Sequence, residues 1–513
     1  MNEAVHSADQ AQYPIRLGRA DEFARVRRFL RAIGFEEGGI NQVLPLDDQG
    51  QFDPARWEQI KLTSVPALLR LLIEIFVRGE AIPEREFRAH CDNDTYAAFC
   101  SLGLIRPRIH DDDVLVSPVW LYPMDGFVVA SDRYEDPDGN PFVAPADVIY
   151  PGLNPHTARF LQFLPDARGG DALDLCGGCG IGALRLSRTA RCAVSADVTQ
   201  RSAFFTDFNG RLNGAAITSL CGDLYEPVHG REFDVISAHP PFVPAVGNRR
   251  LVFRDAEEFG EEITRRIIAG LPTHLRAGGT CVIVCAARDT DRPFEQRAFD
   301  WLGDGRDSFD VIFGEYNVLS IESLMKSIQN HPPQVGQEEV AQLSAQIHAA
   351  GTRQYAYGTL MIRRRSERAA QEPRRVRMMA QADAADLVRM LDWRQFSQQK
   401  DFMQWLATSK PRFSPQTELT VRHVARDGAL VEAEHTFRAN GNLRLAIRPD
   451  PWMVPLVAGL NGKRSVEEAF TAAQSAGVTP QGFTLEAFGE LVSLMVERTF
   501  LEVELPGWRD QAA

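Results

Sequence analysis

The chain has 513 residues, 44% of them hydrophobic, with 56 Lys and Arg against 69 Asp and Glu and a net charge of −13. This length suits about three domains, and the mixed composition is that of a water-soluble globular protein, whose acidic balance disfavours undirected nucleic-acid binding. No run reaches the ~20 apolar residues of a membrane span, because the best one, residues 65–77, is broken by Arg70 and Glu74. The amino terminus lacks a basic-then-apolar signal segment, so a cytoplasmic location is expected.

Residues 1–135 read as a mostly helical docking or substrate-covering module. Helical periodicity runs over residues 23–33, 67–77 and 96–102, and a strand pair is expected from residues 114–116 and 126–130. Helices followed by a hairpin are the order of a winged helix. Asp111, Asp112 and Asp113 at the start of the wing would repel phosphate, which favours docking over nucleic-acid contact. Next, Asn154-Pro-His-Thr157 reads as a helix start with Asn154 as cap, and it also lies where a cofactor contact could sit.

Asp171-Ala-Leu-Asp-Leu-Cys-Gly-Gly-Cys-Gly-Ile-Gly182 is an apolar strand ending in a glycine cluster. Such a cluster lets backbone approach a nucleotide-like ligand without Cβ interference. Strands ending in acids follow: Asp197 closes the second, where a carboxylate can accept from both ribose hydroxyls, and Asp223 closes the third. A fourth strand runs into His239-Pro-Pro-Phe242. Residues 278–285 supply a fifth, and residues 309–314 and 355–363 a sixth and seventh. Two prolines leave carbonyls free to accept from an amino or amide N–H, and Phe242 offers a flat face to a planar acceptor. The acidic run 253–262 leads into an amphipathic helix over residues 263–271. It either covers the acceptor pocket, with Arg254 or Asp255 contacting substrate, or is simply the solvated first turn of that helix.

On these residues the chain resembles the class I S-adenosylmethionine-dependent methyltransferases. Within them it resembles the small-methyltransferase branch, which includes the release-factor glutamine methyltransferases and the guanine-N2 ribosomal RNA methyltransferases. The resemblance covers residues 145–365 and implies an α/β, Rossmann-like domain with a mainly parallel seven-stranded sheet. It also implies S-adenosyl-L-methionine as cofactor, held by Asp174, Cys176, Gly178, Gly180, Asp197, Asp223 and Leu224. Cys176 stands where glycine is usual. His239, Pro240 and Phe242 fall on the Asn-Pro-Pro-Tyr/Phe motif and would carry the acceptor chemistry, with Pro241 and Arg254 binding substrate. Histidine in place of Asn, Asp or Ser leaves open an acceptor that must lose a proton, with His239 as general base, or a purely structural imidazole.

Six of the eight cysteines (Cys176, Cys179, Cys192, Cys221, Cys281 and Cys285) fall in this domain. Cys176-Gly-Gly-Cys179 has metal or redox spacing, but it lies beside buried strands and lacks a histidine-rich companion, so no metal is expected. Residues 366–377 read as an Arg-rich linker around Glu372-Pro373. Residues 378–513 read as an α+β, winged-helix-like recognition or dimerisation module. It has strands over 419–424, 431–437 and 443–447, a capping box from Ser465, and a last helix capped by Thr484.

The sequence reading is therefore a methyltransferase acting on a nitrogen or oxygen of a small-molecule or peptide acceptor in a biosynthetic pathway. The alternatives are N-methylation of RNA or of a ribosome-associated protein, and a cofactor-binding protein without chemistry. Small-molecule or peptide partners are expected, nucleic acid is disfavoured by net charge, no membrane is expected, and a homodimer is open.

Overall fold

The computed structural model describes residues 13–43, 61–152, 154–246, 251–256, 259–330, 336–368 and 371–504. Leu153 of the segment before the first strand, and Glu257 and Glu258 of the acidic run, lie outside the described residues. The chain forms two compact units, Met1–Arg306 with Val318–Arg364, and Asp307–Asn317 with Arg365–Ala513.

In the first unit, helix α1 (Ala20–Ile33) buries Phe23, Val26 and Leu30, spaced for one face, and closes on Gly34 at φ 76°. Helix α2 (Ala67–Leu72) runs into a π-helical turn at Ile73–Arg78 and stops at Gly79, φ 77°. Strand β1 (Ile82–Pro83) precedes α3 (Asn93–Ser101), whose cap Asp92 accepts from the Thr95 N–H at 2.6 Å. Strands β2 (Arg106–Arg108) and β3 (Asp111–Val116) join β1 in an antiparallel sheet with β3 central. The strand expected at 126–130 does not pair with β3. It is β5 (Phe127–Asp132), the partner of β4 (Val119–Met124) in a separate hairpin. Pro123 within Val-Trp-Leu-Tyr-Pro-Met hides β4 from a propensity reading, and an edge position accommodates it.

Helix α4 (Pro155–Gln162) starts at Asn154, whose Oδ1 accepts from the Thr157 N–H at 3.0 Å. Strand β6 (Asp171–Leu175) leads through the glycine loop to α5 (Ile181–Ser187), then β7 (Cys192–Asp197), α6 (Gln200–Asn213), β8 (Ile217–Cys221) and β9 (Phe233–Ala238). Short strands β10 (Val243–Pro244) and β11 (Asp255–Ala256) pair in parallel ahead of α7 (Glu262–His274) and β12 (Leu275–Asp289). Strand β13 (Phe309–Leu319) falls almost wholly in the second unit, and β14 (Gln354–Arg364) closes the first.

The sheet of the first unit has the order β14-β12-β9-β6-β7-β8. Its β12–β9, β9–β6, β6–β7 and β7–β8 pairs are parallel and β12–β14 is antiparallel, giving a mixed doubly wound sheet. Every residue of β6 is buried, as both faces of such a strand require. The strand order reverses between β6 and β9, the chain adding β7 and β8 on one side of β6 and β9 and β12 on the other, and a ligand crevice is expected at the carboxyl ends there. The amino-terminal elements share one apolar core with this domain: Phe23, Val26, Phe76 and Tyr122 cluster with Cys179, Ile181, Phe205 and Phe208.

In the second unit, β13 pairs in parallel with β15 (Arg374–Met378), so the carboxyl end of the segment read as a linker is a strand. Its arginines are engaged: Arg375 and Arg377 meet Glu315 at 3.2 and 2.7 Å, and Arg374 meets Glu497 at 3.6 Å. Helix α8 (Ala384–Phe396) follows, then β16 (Arg412–Phe413) and the antiparallel strands β17 (Thr417–Arg426), β18 (Ala429–Asn440) and β19 (Leu443–Ile447), with β19 antiparallel to β15. Helix α9 (Val466–Ser475) has the expected capping box, the Glu468 N–H donating to Ser465 Oγ at 3.1 Å and the Ser465 N–H to Glu468 Oε2 at 2.8 Å. Helix α10 (Leu485–Glu497) is capped by Thr484, whose Oγ1 accepts from the Ala487 N–H. It is followed by β20 (Leu501–Glu502), which pairs with β16.

Candidate active site

Parallel pairing sets the ends of four strands level. Leu175 of β6 is in register with Ala196 of β7 and with Ala238 of β9, and Asp197 with Cys221 of β8. The loops opening at Cys176, Val198, Gly222 and His239 therefore share one edge of the sheet, and the structure brings the glycine loop, the three acids and the diproline together there.

Asp174 is buried within β6. Its Oδ1 accepts from the Ser237 hydroxyl at 2.7 Å and its Oδ2 from the Ala183 N–H at 3.1 Å, which ties strand, neighbouring strand and helix start together. Burial pushes its pKa up to about 7 against the pull of those two donors. Cβ atoms at three loop glycines would collide with this scaffold: at Gly177 with Ser195 Oγ, at Gly180 with Thr206 at 2.8 Å and at Gly182 with the Asp174 carboxylate at 2.6 Å. Gly178 differs, because at φ +55° a Cβ there would meet nothing within 4 Å. The space beside it is open. Cys176 takes φ 56°, a backbone region where glycine is the ordinary occupant and a β-carbon is a strain. Burial raises its thiol pKa well above the ordinary value, with Asp197, Asp174 and Asp223 adding to the effect.

Asp197 Oδ2 accepts from the Gly178 N–H and Oδ1 from the Thr199 N–H, both at 3.0 Å. Val198 beside it is 56% exposed, an apolar residue left uncovered at the sheet edge. Asp223 holds Arg266 of α7 at 2.6 Å, and Leu224 is buried at φ 49°.

His239 begins an aromatic wall. Its ring stacks on Phe160 of α4 at 5.4 Å between centroids and on Phe242 at 6.0 Å. Phe242 lies 5.7 Å from Tyr357 of β14 and 6.4 Å from His156, whose Nδ1 is 2.7 Å from the Tyr357 hydroxyl. Burial, with His156 adding, pushes the His239 pKa down to about 3, so the imidazole is neutral at working pH and holds no proton to exchange as a cation. Pro240 is buried, while Pro241 and Phe242 are half-buried. Arg254 pairs with Asp255 at 3.6 Å on the segment whose β11 flanks β10, and its carbonyl accepts from the Val243 N–H.

Sequence reasoning missed Phe160 and Tyr357 on this wall, and Val198, Ser237 and Arg266 at the cofactor end, while His156 belongs to the segment read as a helix start or cofactor contact and lies beside Phe242 and Tyr357. Phe160 reads as an ordinary buried helix residue, and Tyr357 belongs to a strand far along the chain. Val198 alone carried a local signal, an apolar residue directly after a strand-terminal acid.

Residues 150–299 match the family model described as the methyltransferase small domain. The chain is 28% identical over 166 residues to the ribosomal RNA small subunit methyltransferase C of Alcanivorax borkumensis, a match covering 31% of this chain and 45% of that protein. The chain thus spans about 45% of the length of the curated relative it matches. Solved structures similar to this chain include a 16S rRNA methyltransferase of T. thermophilus in complex with AdoMet and guanosine, at 16% identity, 56% and 64% coverage of the two chains and a TM-score of 0.28. Another is the ribosomal protein L11 methylase of Lactobacillus delbrueckii subsp. bulgaricus, at 18% identity, 38% and 70% coverage and a TM-score of 0.22.

Proposed function

Since the domain over residues 150–299 belongs to the class I S-adenosylmethionine-dependent methyltransferases of the small-methyltransferase branch, we propose that this chain methylates an amino nitrogen of an RNA base. The observation that carries the choice of acceptor is the kinship to a ribosomal RNA methyltransferase. The aromatic wall of Phe160, His239, Phe242 and Tyr357 supports it, because flat side chains take up a flat base by stacking.

The residues fit the cofactor. Gly178 leaves open space beside the loop for its amino-acid portion, the Asp197 carboxylate can accept from ribose hydroxyls, and Val198 and Leu224 offer apolar cover for adenine. Asp223 would meet the adenine amino group with the oxygen that Arg266 leaves over. Bound S-adenosylmethionine supplies an electrophilic methyl group on a sulfonium. The chain's own residues do the positioning: Pro240 and Pro241 present carbonyls, Phe242 fixes the plane of the acceptor, and neutral His239 offers one donor and one acceptor edge. Proximity and orientation of this kind are worth roughly 7 to 11 kcal/mol. Arg254 lies on the segment flanking the acceptor loop and is assigned to substrate contact.

A second reading, a small-molecule or peptide acceptor, is favoured by the imidazole in place of an amide at position 239 and by the net charge of −13. Incubation with methyl-labelled cofactor and either unmodified ribosomal RNA or an RNA-free low-mass extract separates the two. Label in RNA nucleosides that Asp197→Ala abolishes is the expected result. Label confined to low-mass products transfers the assignment to the second reading.

A further inference from the structure

The fully buried side chain of Asn209, on α6, meets two parts of the first unit at once. Its Oδ1 accepts from the Ala130 N–H at 2.8 Å, and its Nδ2 donates to the Ala130 carbonyl at 3.0 Å and to the Cys179 carbonyl of the glycine loop at 2.8 Å. One turn later Asn213 repeats the first half of this pattern. It accepts from the Val128 N–H at 2.9 Å and donates to the Val128 carbonyl at 2.7 Å, but its remaining bond goes to the Asn209 carbonyl at 2.8 Å, not to the loop. A helix rises about 6 Å over four residues and a strand about 6.8 Å over two, so amides spaced i, i+4 pair with alternate residues of β5 as a neighbouring strand would. The loop is held from the same helix face by Thr206, whose hydroxyl donates to the Gly178 carbonyl at 3.2 Å.

We infer that Asn209 is a positioning residue through which the amino-terminal β4–β5 hairpin becomes part of the cofactor site, an inference that rests on the cofactor reading above. Asn209 and Thr206 turn the carbonyls of Cys179 and Gly178 toward α6. The Gly178 N–H is then left to Asp197 and the open side of Gly178 to the ligand. Without the Asn209 amide, the Cys179 carbonyl is buried and unpaired, and the loop loses the bond that sets its rotation. Because such coupling is reciprocal, a ligand that orders the loop also orders β5.

The test is calorimetric titration of the full chain with S-adenosylhomocysteine, using wild type, Asn209→Ala and Asn213→Ala, with Tm recorded for each. Both variants lose a paired amide on β5, and both should lower Tm. Asn209→Ala should weaken binding about tenfold, equivalent to ~1.4 kcal/mol, whereas Asn213→Ala stays within about twofold of wild type. Equal changes in the two variants, or none in Asn209→Ala, would overturn the inference. Hydrogen exchange on the wild type decides the matter should Asn209→Ala fail to fold. S-adenosylhomocysteine should slow exchange in residues 127–132 as well as in residues 174–183, and protection restricted to the latter would contradict the coupling. Failure of the wild type to bind the ligand removes the cofactor reading and this inference with it.

Discussion

Asp174 shows how one buried group ties stability to pH. Its folded pKa of about 7 lies well above the usual carboxylate value because burial penalises the charged form. The folded state therefore holds a proton that the unfolded state releases, and stability declines as pH rises from about 4 to about 7. Asn at this position keeps an acceptor for the Ala183 N–H and a polar partner for Ser237, but it carries no charge to bury. The Tm of Asp174→Asn relative to wild type should accordingly be more favourable at pH 8 than at pH 5, and a difference independent of pH would contradict the assignment. The sequence announced Asp174 as the acid opening a glycine motif, yet it was silent on its protonation. That depends on Ser237, which reaches it from 63 residues away across a strand pair.

At the scale of elements, the glycine loop was readable because four glycines and a strand-terminal acid form a local pattern, but the pattern does not say which glycine serves the fold and which the ligand. A Cβ on Gly180 would strike Thr206 at 2.8 Å, whereas one on Gly178 would enter open space. Gly180→Ala should therefore lose about 1 to 3 kcal/mol of stability through overpacking, in addition to the strain of positive φ. Gly178→Ala should lose only the backbone contribution and still bind S-adenosylhomocysteine at least tenfold more weakly. Gly169→Ala, at φ +77° and likewise without neighbours, measures the backbone contribution alone. Equal loss of affinity in the Gly178 and Gly169 variants would show that the open space beside Gly178 is not where the ligand lies. Strand periodicity likewise gave β6, β7, β9 and β12 their places but not the pairing of β5 with β4. Pairing is decided by partners, and Pro123 masked the one that β5 takes.

At the scale of the molecule, composition suggested a boundary near residue 366, where arginines and a proline cluster, but the second unit recruits Asp307–Asn317 from before that point. Asp310 explains why a boundary drawn from composition fails. It is fully buried and lies 3.1 Å from Arg365 and 3.7 Å from Arg394, while Arg394 also approaches Glu497 at 3.9 Å. Burial depresses the Arg394 pKa, with Arg374 and Arg365 adding to the effect, and the two acids oppose it. Removing one partner of such a cluster leaves a buried charge uncompensated, at a cost of roughly 3 to 5 kcal/mol. A fragment of residues 365–513 lacks Asp310 and β13, one of the two strands that pair with β15, so it should show little cooperative unfolding by circular dichroism. Supplying residues 307–317 ahead of residue 365 through a short flexible linker should restore a cooperative transition, and Asp310→Ala in that fused fragment should lose most of the gain. A cooperative transition in the shorter fragment would mean that β13 and its aspartate are dispensable, and that the boundary read from composition is the physical one.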